Sequence, residues 1–337
     1  MFMKKLMAVL PAAMTALGLI ACSADAALTE EADSAAIRFS SAVGARSVTT
    51  EDLKQFSVWG FCRPANETGG AWSEVFTRTP VTVTNEGGLW SYGYTEYWKM
   101  GYTYRFHAFY PIGQADETTV GAESGPSVTD FDSTNHIDLL YAVQERDYDT
   151  QGGSAVALNF RHLLSKVTFV GKADPSLATD GIAVTLTSVK LYGATLSKKG
   201  SWRADTNRWT SDAAGTAIET PYAERTERIP LSDTETDLFP SDIELLIIPQ
   251  TSLQNVYFRI AYEYSGANIA TTSGAGIINL GSILNASTSW EAGKSYKYRF
   301  TVGATDYILF DAPTVEQWKP NEIGGDSAID HGQNQGN

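Results

Sequence analysis

The histidines of the chain are the first candidates for acid–base or metal chemistry, because imidazole titrates near neutral pH and binds transition metals. These histidines are His107, His136, His162 and His331. Their spacing matches no common zinc site, and the chain lacks the GxSxG, HExxH and phosphate-loop motifs. We therefore predict no catalytic residues, no metal site and no cofactor, and we expect a protein that is not an enzyme.

The stretch "DYDTQGG" (147–153) is the one segment whose spacing suggests calcium. Asp147 and Asp149 lie two residues apart before two glycines, and carboxylate oxygens are typical calcium ligands. The segment lacks the later acidic ligands of an EF-hand loop, so we interpret it as a solvated turn.

Cys22 is a candidate for covalent lipid attachment. Lys4 and Lys5 precede an apolar stretch that ends in "LIAC" (19–22), which matches the bacterial lipobox. The apolar stretch is too short for a comfortable membrane span, which needs about 20 residues. We predict a lipoprotein signal peptide over 1–21, a lipid on Cys22 and a small acidic tether over 22–36. The lipid would hold the protein at the outer membrane, facing the cell surface.

Cys62 is the only other cysteine, so no disulfide is expected in the mature protein and Cys62 is predicted to be a buried free thiol. The formal charge of the chain is −14. A surface this acidic repels nucleic acid and anionic lipid, which we exclude as partners.

Eight tryptophans raise an alternative function, the binding of glycans by a monomeric surface lipoprotein. Four of them lie near predicted turns, where an exposed indole could stack on a sugar, but indoles also cover the ends of β-sandwiches. The four are Trp72, Trp90, Trp202 and Trp209. Trp59 and Trp318 lie in predicted strands and are expected in the core.

The remaining pattern predicts an all-β fold. Apolar, β-branched and aromatic residues alternate with period two between Gly- and Asn-rich turns, as in antiparallel immunoglobulin-like sandwiches. The clearest segments are 56–61, 104–111, 138–143, 156–160, 165–170, 182–193, 243–249, 256–264 and 296–302. We predict two tandem antiparallel β-sandwich domains, over 37–153 and 154–318, and a flexible polar tail over 319–337.

Several segments in order resemble the fimbrillin family of bacterial pilus subunits and Mfa-like lipoproteins. They are the lipobox, "AIRFS" (36–40) followed by Arg46, "LKQFSVWGF" (53–61), "YWKMGYTYRFHAFYP" (97–111), "HIDLLYAV" (136–143), "VALNFRHLLSKVTFV" (156–170), "LLIIPQ" (245–250), "WEAGKSYKYRFTV" (290–302) and "VEQW" (315–318). The resemblance implies two transthyretin-like sandwiches and a subunit of an adhesive surface fimbria. It also implies other pilin subunits as partners, with a host or bacterial surface glycan or protein as the adhesion ligand.

The resemblance further implies assembly by strand exchange. A protease would cut after Arg46, and the first strand, with Ile37 and Phe39, would leave a groove that a neighbouring subunit fills. The C-terminal tail is too polar to serve as the incoming strand. Either the segment 307–318 is the donor, or the chain is an accessory, anchor or tip subunit. The donor residues would be Tyr307, Leu309, Val315 and Trp318.

Overall fold

Almost all regular structure in the chain is β-strand, which confirms the predicted all-β class. The computed structural model describes residues 36–40, 53–67, 69–87, 89–148, 154–212, 214–239, 244–304 and 307–318. The helices in these ranges are one short α-helix, α1 (Pro175–Thr179), and the 3₁₀ turns Ser133–Asn135 and Leu280–Ser282. None of the described helices has the length and hydrophobicity needed to cross a bilayer.

The N-terminal half is built around one seven-stranded sheet, which we call the N-terminal sheet. In chain order its strands are β2 (Gln55–Pro64), β3 (Ser73–Glu74), β4 (Val81–Glu86), β5 (Leu89–Ser91), β6 (Tyr102–Tyr110), β9 (Leu140–Asp147) and β11 (Arg161–His162). Its main path runs in the order β11, β9, β6, β2, β4, β5, with β3 also paired to β2.

Both faces of the N-terminal sheet are buried, because its central strands alternate between two sets of apolar side chains. Phe56 and Val58 of β2 lie in one cluster, the N-terminal core, with Phe106 of β6. Trp59 and Phe61 lie on the opposite face, in a second cluster that we call the central cluster. The strands β1 (Phe39–Ser40) and β10 (Val156–Ala157) pair in parallel and pack against the N-terminal core.

The central cluster joins the two halves of the chain. A four-stranded sheet in the order β15, β14, β8, β7 combines strands from before and after residue 153. Its strands are β7 (Asp116–Gly121), β8 (Gly125–Asp132), β14 (Lys199–Arg203) and β15 (Arg208–Ser211). Trp202 of β14 packs 5.1 Å from the Tyr141 ring of β9. The predicted boundary falls between 153 and 154 in the joint 147–154, of which 149–153 lie outside the described residues, and the two-domain division stays a prediction.

The C-terminal half is a sandwich of two sheets. Their strands are β12 (Ser165–Ala173), β13 (Ile182–Gly193), β16 (Ala223–Arg225), β17 (Ile229–Leu231), β18 (Thr236–Asp237), β19 (Leu245–Ile247), β20 (Val256–Gly266), β21 (Ile269–Asn279), β22 (Lys294–Val302), β23 (Ile308–Phe310) and β24 (Thr314–Gln317). The first sheet has the strand order β18, β12, β22, β23, with β19 also paired to β12 and β24 to β22. The second sheet has the order β16, β13, β20, β21, with β17 also paired to β13. Phe169 and Phe258 stack between the sheets at 4.0 Å.

The antiparallel prediction needs correction at two places, because β1 and β10 pair in parallel, and so do β12 and β22 over eight residues. Parallel neighbours require a long crossover connection. For β12 and β22 the chain from 174 to 293 supplies it and includes every strand of the opposite sheet. Period-two alternation reports which face of a strand is buried and carries no information about the direction of its neighbour.

Candidate functional site

The segment 36–40 is a short stretch of chain with two deeply buried side chains. Ile37 is 2% exposed and Phe39 is 5% exposed, and both belong to the N-terminal core. The Phe39 ring lies 5.5 Å from Phe106, 5.8 Å from Tyr92 and 6.4 Å from Phe76. These three rings form the wall of the pocket that Phe39 fills.

Backbone hydrogen bonds hold this segment on two sides. On one side the amides of Val156 and Leu158 donate to the carbonyls of Arg38 and Ser40, at 2.7 and 2.9 Å. On the other side the Ile37 amide donates to the carbonyl of Glu96 at 2.8 Å. The segment therefore lies in a slot between β10 and residues 92–97, and backbone groups on both sides of the slot hydrogen-bond to it.

Tyr92 adds a side-chain hydrogen bond to the same slot. Its hydroxyl donates to the Ile37 carbonyl at 2.9 Å. Burial raises the pKa of Tyr92 to about 12, so the hydroxyl keeps its proton at physiological pH and remains a donor. Tyr92 thus contributes both an aromatic wall and a hydrogen bond to whatever strand fills the slot.

Arg146 supports the β10 side of the slot. Its guanidinium donates to the carbonyls of Ser154 and Ala155 at 2.8 and 2.9 Å, directly before β10 begins. The same group lies 5.6 Å from the centre of the Trp98 ring, and burial lowers its pKa. Sequence reasoning missed Arg146, because an isolated arginine at the end of a strand resembles any solvated charge.

The predicted donor residues lie on or directly beside two strands that form an edge of the C-terminal sandwich: Leu309 and Val315 are on the strands, Tyr307 precedes β23 and Trp318 follows β24. Strands β23 and β24 both pair antiparallel with β22. Tyr307, Leu309 and Val315 are 45%, 57% and 40% exposed. The inward side chains near them are Ile308 and Phe310, which pack against the sandwich core. Because "YILF" is apolar at every position, alternation could not tell which residues face inward.

Trp318 differs from the other three predicted donor residues, because it is 5% exposed and belongs to the central cluster. Its ring stacks on His162 at 3.7 Å with an angle of 10° between the planes, and its amide donates to the Gly293 carbonyl at 2.8 Å. Asp138 Oδ2 lies 2.7 Å from His162 Nδ1, in a geometry that does not align the ring N–H with the carboxylate. Trp318 therefore fixes the end of β24 to the body of the protein.

The tryptophans that suggested glycan binding have structural contacts. Arg63 and Arg105 lie 4.5 and 5.1 Å from the Trp72 ring centre, and the Trp72 Nε1–H donates to Glu123. Trp202 is 1% exposed. The other two also pack within the protein: Trp90 lies 4.9 Å from Phe56, and Trp209 lies 5.8 Å from Phe131 and donates to the Leu163 carbonyl. These contacts give the four indoles structural roles and add no support to a sugar platform.

The other candidate groups are dispersed. His107 hydrogen-bonds to the Tyr141 hydroxyl at 2.7 Å and to the Ala122 carbonyl at 2.9 Å, and burial lowers its pKa. Cys62 is 2% exposed and free, as predicted, and burial raises its thiol pKa. Across the described ranges, no three His, Cys, Asp or Glu side chains come together as a metal site.

Four residues singled out in the sequence lie outside the described residues: Cys22, Arg46, Asp149 and His331. Lipid attachment at Cys22 and cleavage at Arg46 therefore stay predictions. Asp147, the partner of Asp149 in the calcium hypothesis, is the last residue of β9.

Three solved structures that match this chain come from Bacteroides species. A fimbrial protein from Bacteroides vulgatus has a TM-score of 0.61 and 18% identity, and the match covers 84% of this chain and 99% of that one. A candidate cell adhesion protein from Bacteroides uniformis has a TM-score of 0.47 and 18% identity, with 84% and 97% covered. Another from Bacteroides ovatus has a TM-score of 0.47 and 17% identity, with 79% and 87% covered.

Sequence comparison identifies the family, whereas the first of these structures supports the fold alone. No curated protein matches the chain. The profile of the fimbrillin-like family matches residues 44–318, which include every described strand after β1. The family resemblance inferred from the motifs is thus confirmed, and the chain belongs to the fimbrillin-like family.

Proposed function

We propose that this chain is a structural subunit of a bacterial surface fimbria that serves adhesion and assembles with other pilin subunits by strand exchange. Family membership supports a fimbrial role. The segment 36–40 supports the exchange, because it combines buried side chains with a short backbone attachment. In this proposal the subunit is made of two transthyretin-like sandwiches and reaches the outer membrane through a lipid on Cys22.

The single observation that carries the proposal is the slot around Ile37 and Phe39. Departure of the whole segment 36–40 would expose apolar surface of the N-terminal core, including Phe76 and Phe106. It would also leave the amides of Val156 and Leu158 without their present acceptors. An extended strand from another subunit could satisfy both requirements, since strand addition combines backbone hydrogen bonds with side-chain pockets.

Cleavage after Arg46 would start the exchange. While the chain is intact, the covalent link keeps the first strand next to its slot at a high effective concentration. Cutting that link makes the segment 36–40 a separate ligand that can dissociate and be replaced. The donor in our proposal is the C-terminal segment 307–318 of a neighbouring subunit, which already lies as an edge on β22.

The experiment that tests this proposal is Arg46→Ala in cells that assemble the fimbria. We expect a full-length protein that stays at the membrane, and loss of the ladder of polymers on a denaturing gel run without boiling. Arg38→Ala is the matched control, because Arg38 is the nearest basic residue on the N-terminal side of Arg46 and its side chain is exposed within the segment 36–40. Normal maturation and polymer formation by Arg46→Ala, or a block by Arg38→Ala alone, would contradict cleavage at Arg46.

A further inference from the structure

Strand β21 leaves a long open edge on the C-terminal sandwich. It contains 11 residues and pairs with β20 from Gly266 to Tyr257. It is the last strand of its sheet, and no described strand pairs with its other side. The backbone N–H and C=O groups on that side are free to pair with a strand from outside the chain.

The other sheet edges of the described structure are shorter or protected. The two strands at the opposite end of the same sheet have three residues each, and one contains Pro230. The edge strand β7 has six residues, including Asp116 and Glu117, and β15 has four, including Arg208. Short length, charge and proline are the usual devices that prevent edge-to-edge pairing. Strand β21 has none of these three, and the register irregularity in its pairing with β20 is confined to its start, between Ile269 and Thr272, which leaves 272–279 regular.

The lack of charge extends beyond the strand itself. Residues 265–290 contain no Asp, Glu, Lys, Arg or His, in a chain whose formal charge is −14. Two copies of so acidic a protein repel each other across most of their surface. An uncharged edge is where a second copy can approach at the lowest electrostatic cost.

The inner face of β21 is fixed by its own sandwich. The close approach of Tyr262 to Gly274, and of Ile308 to Gly276, leaves no room for a side chain at either glycine. The outer face carries the exposed Ser273, Ala275 and Ile277, the last of them 58% exposed. The strand is therefore held in an extended form before any partner arrives.

We propose that β21 pairs antiparallel with β21 of a second copy of this chain, so that the two C-terminal sheets become one continuous sheet. A twofold axis makes the same strand its own partner. An uncharged strand of mainly small residues has no group that would attract a charged partner strand. The β21 strand of a second copy has side chains of the same size and polarity. This surface is separate from the slot around Ile37 and Phe39, and the proposal does not depend on strand exchange.

The dimer should be reversible. One pair of strand edges, each about 36 Å long, buries less surface area than a standard protein interface. Sedimentation equilibrium of the full chain should show a monomer–dimer equilibrium. Ala275→Lys should weaken it at least about tenfold, since the two lysines would then lie close together near the twofold axis, at the middle of the interface. Thr210→Lys on the edge strand β15 is the matched control and should leave the equilibrium unchanged. Circular dichroism verifies that each variant is folded.

Mixing two variants makes the test specific for self-pairing. Ala275→Lys and Ala275→Glu should each be mainly monomeric, and an equimolar mixture should recover the dimer. A wild-type chain that stays monomeric up to about 1 mM, where even a millimolar dissociation constant is visible, overturns the proposal. So does a dimer that responds equally to Ala275→Lys and Thr210→Lys, or that the mixture does not restore.

Discussion

Replacing Phe39 with alanine should release residues 36–40 from their slot against the N-terminal core while the rest of the chain stays folded. Burial of Ile37 and Phe39 stabilises the docked segment by about 1.5–3 kcal/mol for each side chain. The four hydrogen bonds described above add about 0.5–1.5 kcal/mol each, for a gross stabilisation of about 8 kcal/mol. Ordering five backbone residues costs about 1–2 kcal/mol each, about 7 kcal/mol together. The docked state is therefore only marginally favoured.

The loss of a buried phenyl ring costs about 3 kcal/mol or more, which exceeds this small surplus. The amides of Val156 and Leu158 report the change directly, because they donate to the carbonyls of Arg38 and Ser40. A surplus of about 1 kcal/mol protects these two amides only about fivefold, so their native-state hydrogen exchange should become about fivefold faster. Exchange in the strands of the C-terminal sandwich should not change.

Leu89→Ala is the matched control, since Leu89 lies beside the same slot but is 77% exposed. It should leave the exchange of Val156 and Leu158 unaltered. Unchanged exchange of the two amides in Phe39→Ala would refute the reasoning, because the ring would then contribute little to docking. Equal acceleration throughout the chain would refute it too, because the segment would then be part of the global folding unit.

Four further predictions concern other parts of the chain. Trp318→Ala should destabilise the protein by about 3 kcal/mol and accelerate chymotryptic cleavage within 307–318, whereas Trp318→Phe should retain most of the stacking. The free energy of unfolding should fall as pH drops below about 6.5. Burial lowers the pKa of His107 in the folded state, so the unfolded state binds the proton more readily in this pH range. His107→Gln should reduce the difference between the unfolding free energies measured by urea titration at pH 7.5 and 5.5. Cys62 should react with a thiol reagent only after denaturation, since it is buried and its pKa is raised. Cys22→Ala should abolish incorporation of labelled palmitate and release the protein from membranes.

Each of these predictions has a result that would contradict it. Equal proteolysis of Trp318→Ala and Trp318→Phe would show that the stack does not hold β24. An unaltered pH slope in His107→Gln would assign acid sensitivity to other groups. Rapid labelling of Cys62 in the native protein would show that the N-terminal core opens readily, and labelling of Cys22→Ala with palmitate would move the lipid elsewhere.

Much of the fold was predictable from periodicity, because burying one face of a strand forces alternation along it. The segment 182–193 coincides with β13, and 256–264 with most of β20. The burial of Ile37 and Phe39 also agrees with the apolar positions of "AIRFS". Strand β21 escaped prediction because its inner positions include Gly274 and Gly276, where neighbouring side chains fill the space that an apolar residue would occupy.

The sequence by itself determined the composition of the chain, its strand-forming segments, the lipobox and the ordered motifs of the fimbrillin-like family. Only the tertiary structure decided how those segments combine. It placed Trp202 against a strand of the other half, gave β12 and β22 the same direction, and turned Ile308 inward and Leu309 outward. The physical reason is that periodicity records the burial of a side chain, whereas the choice of partner, direction and face depends on contacts between residues distant in sequence.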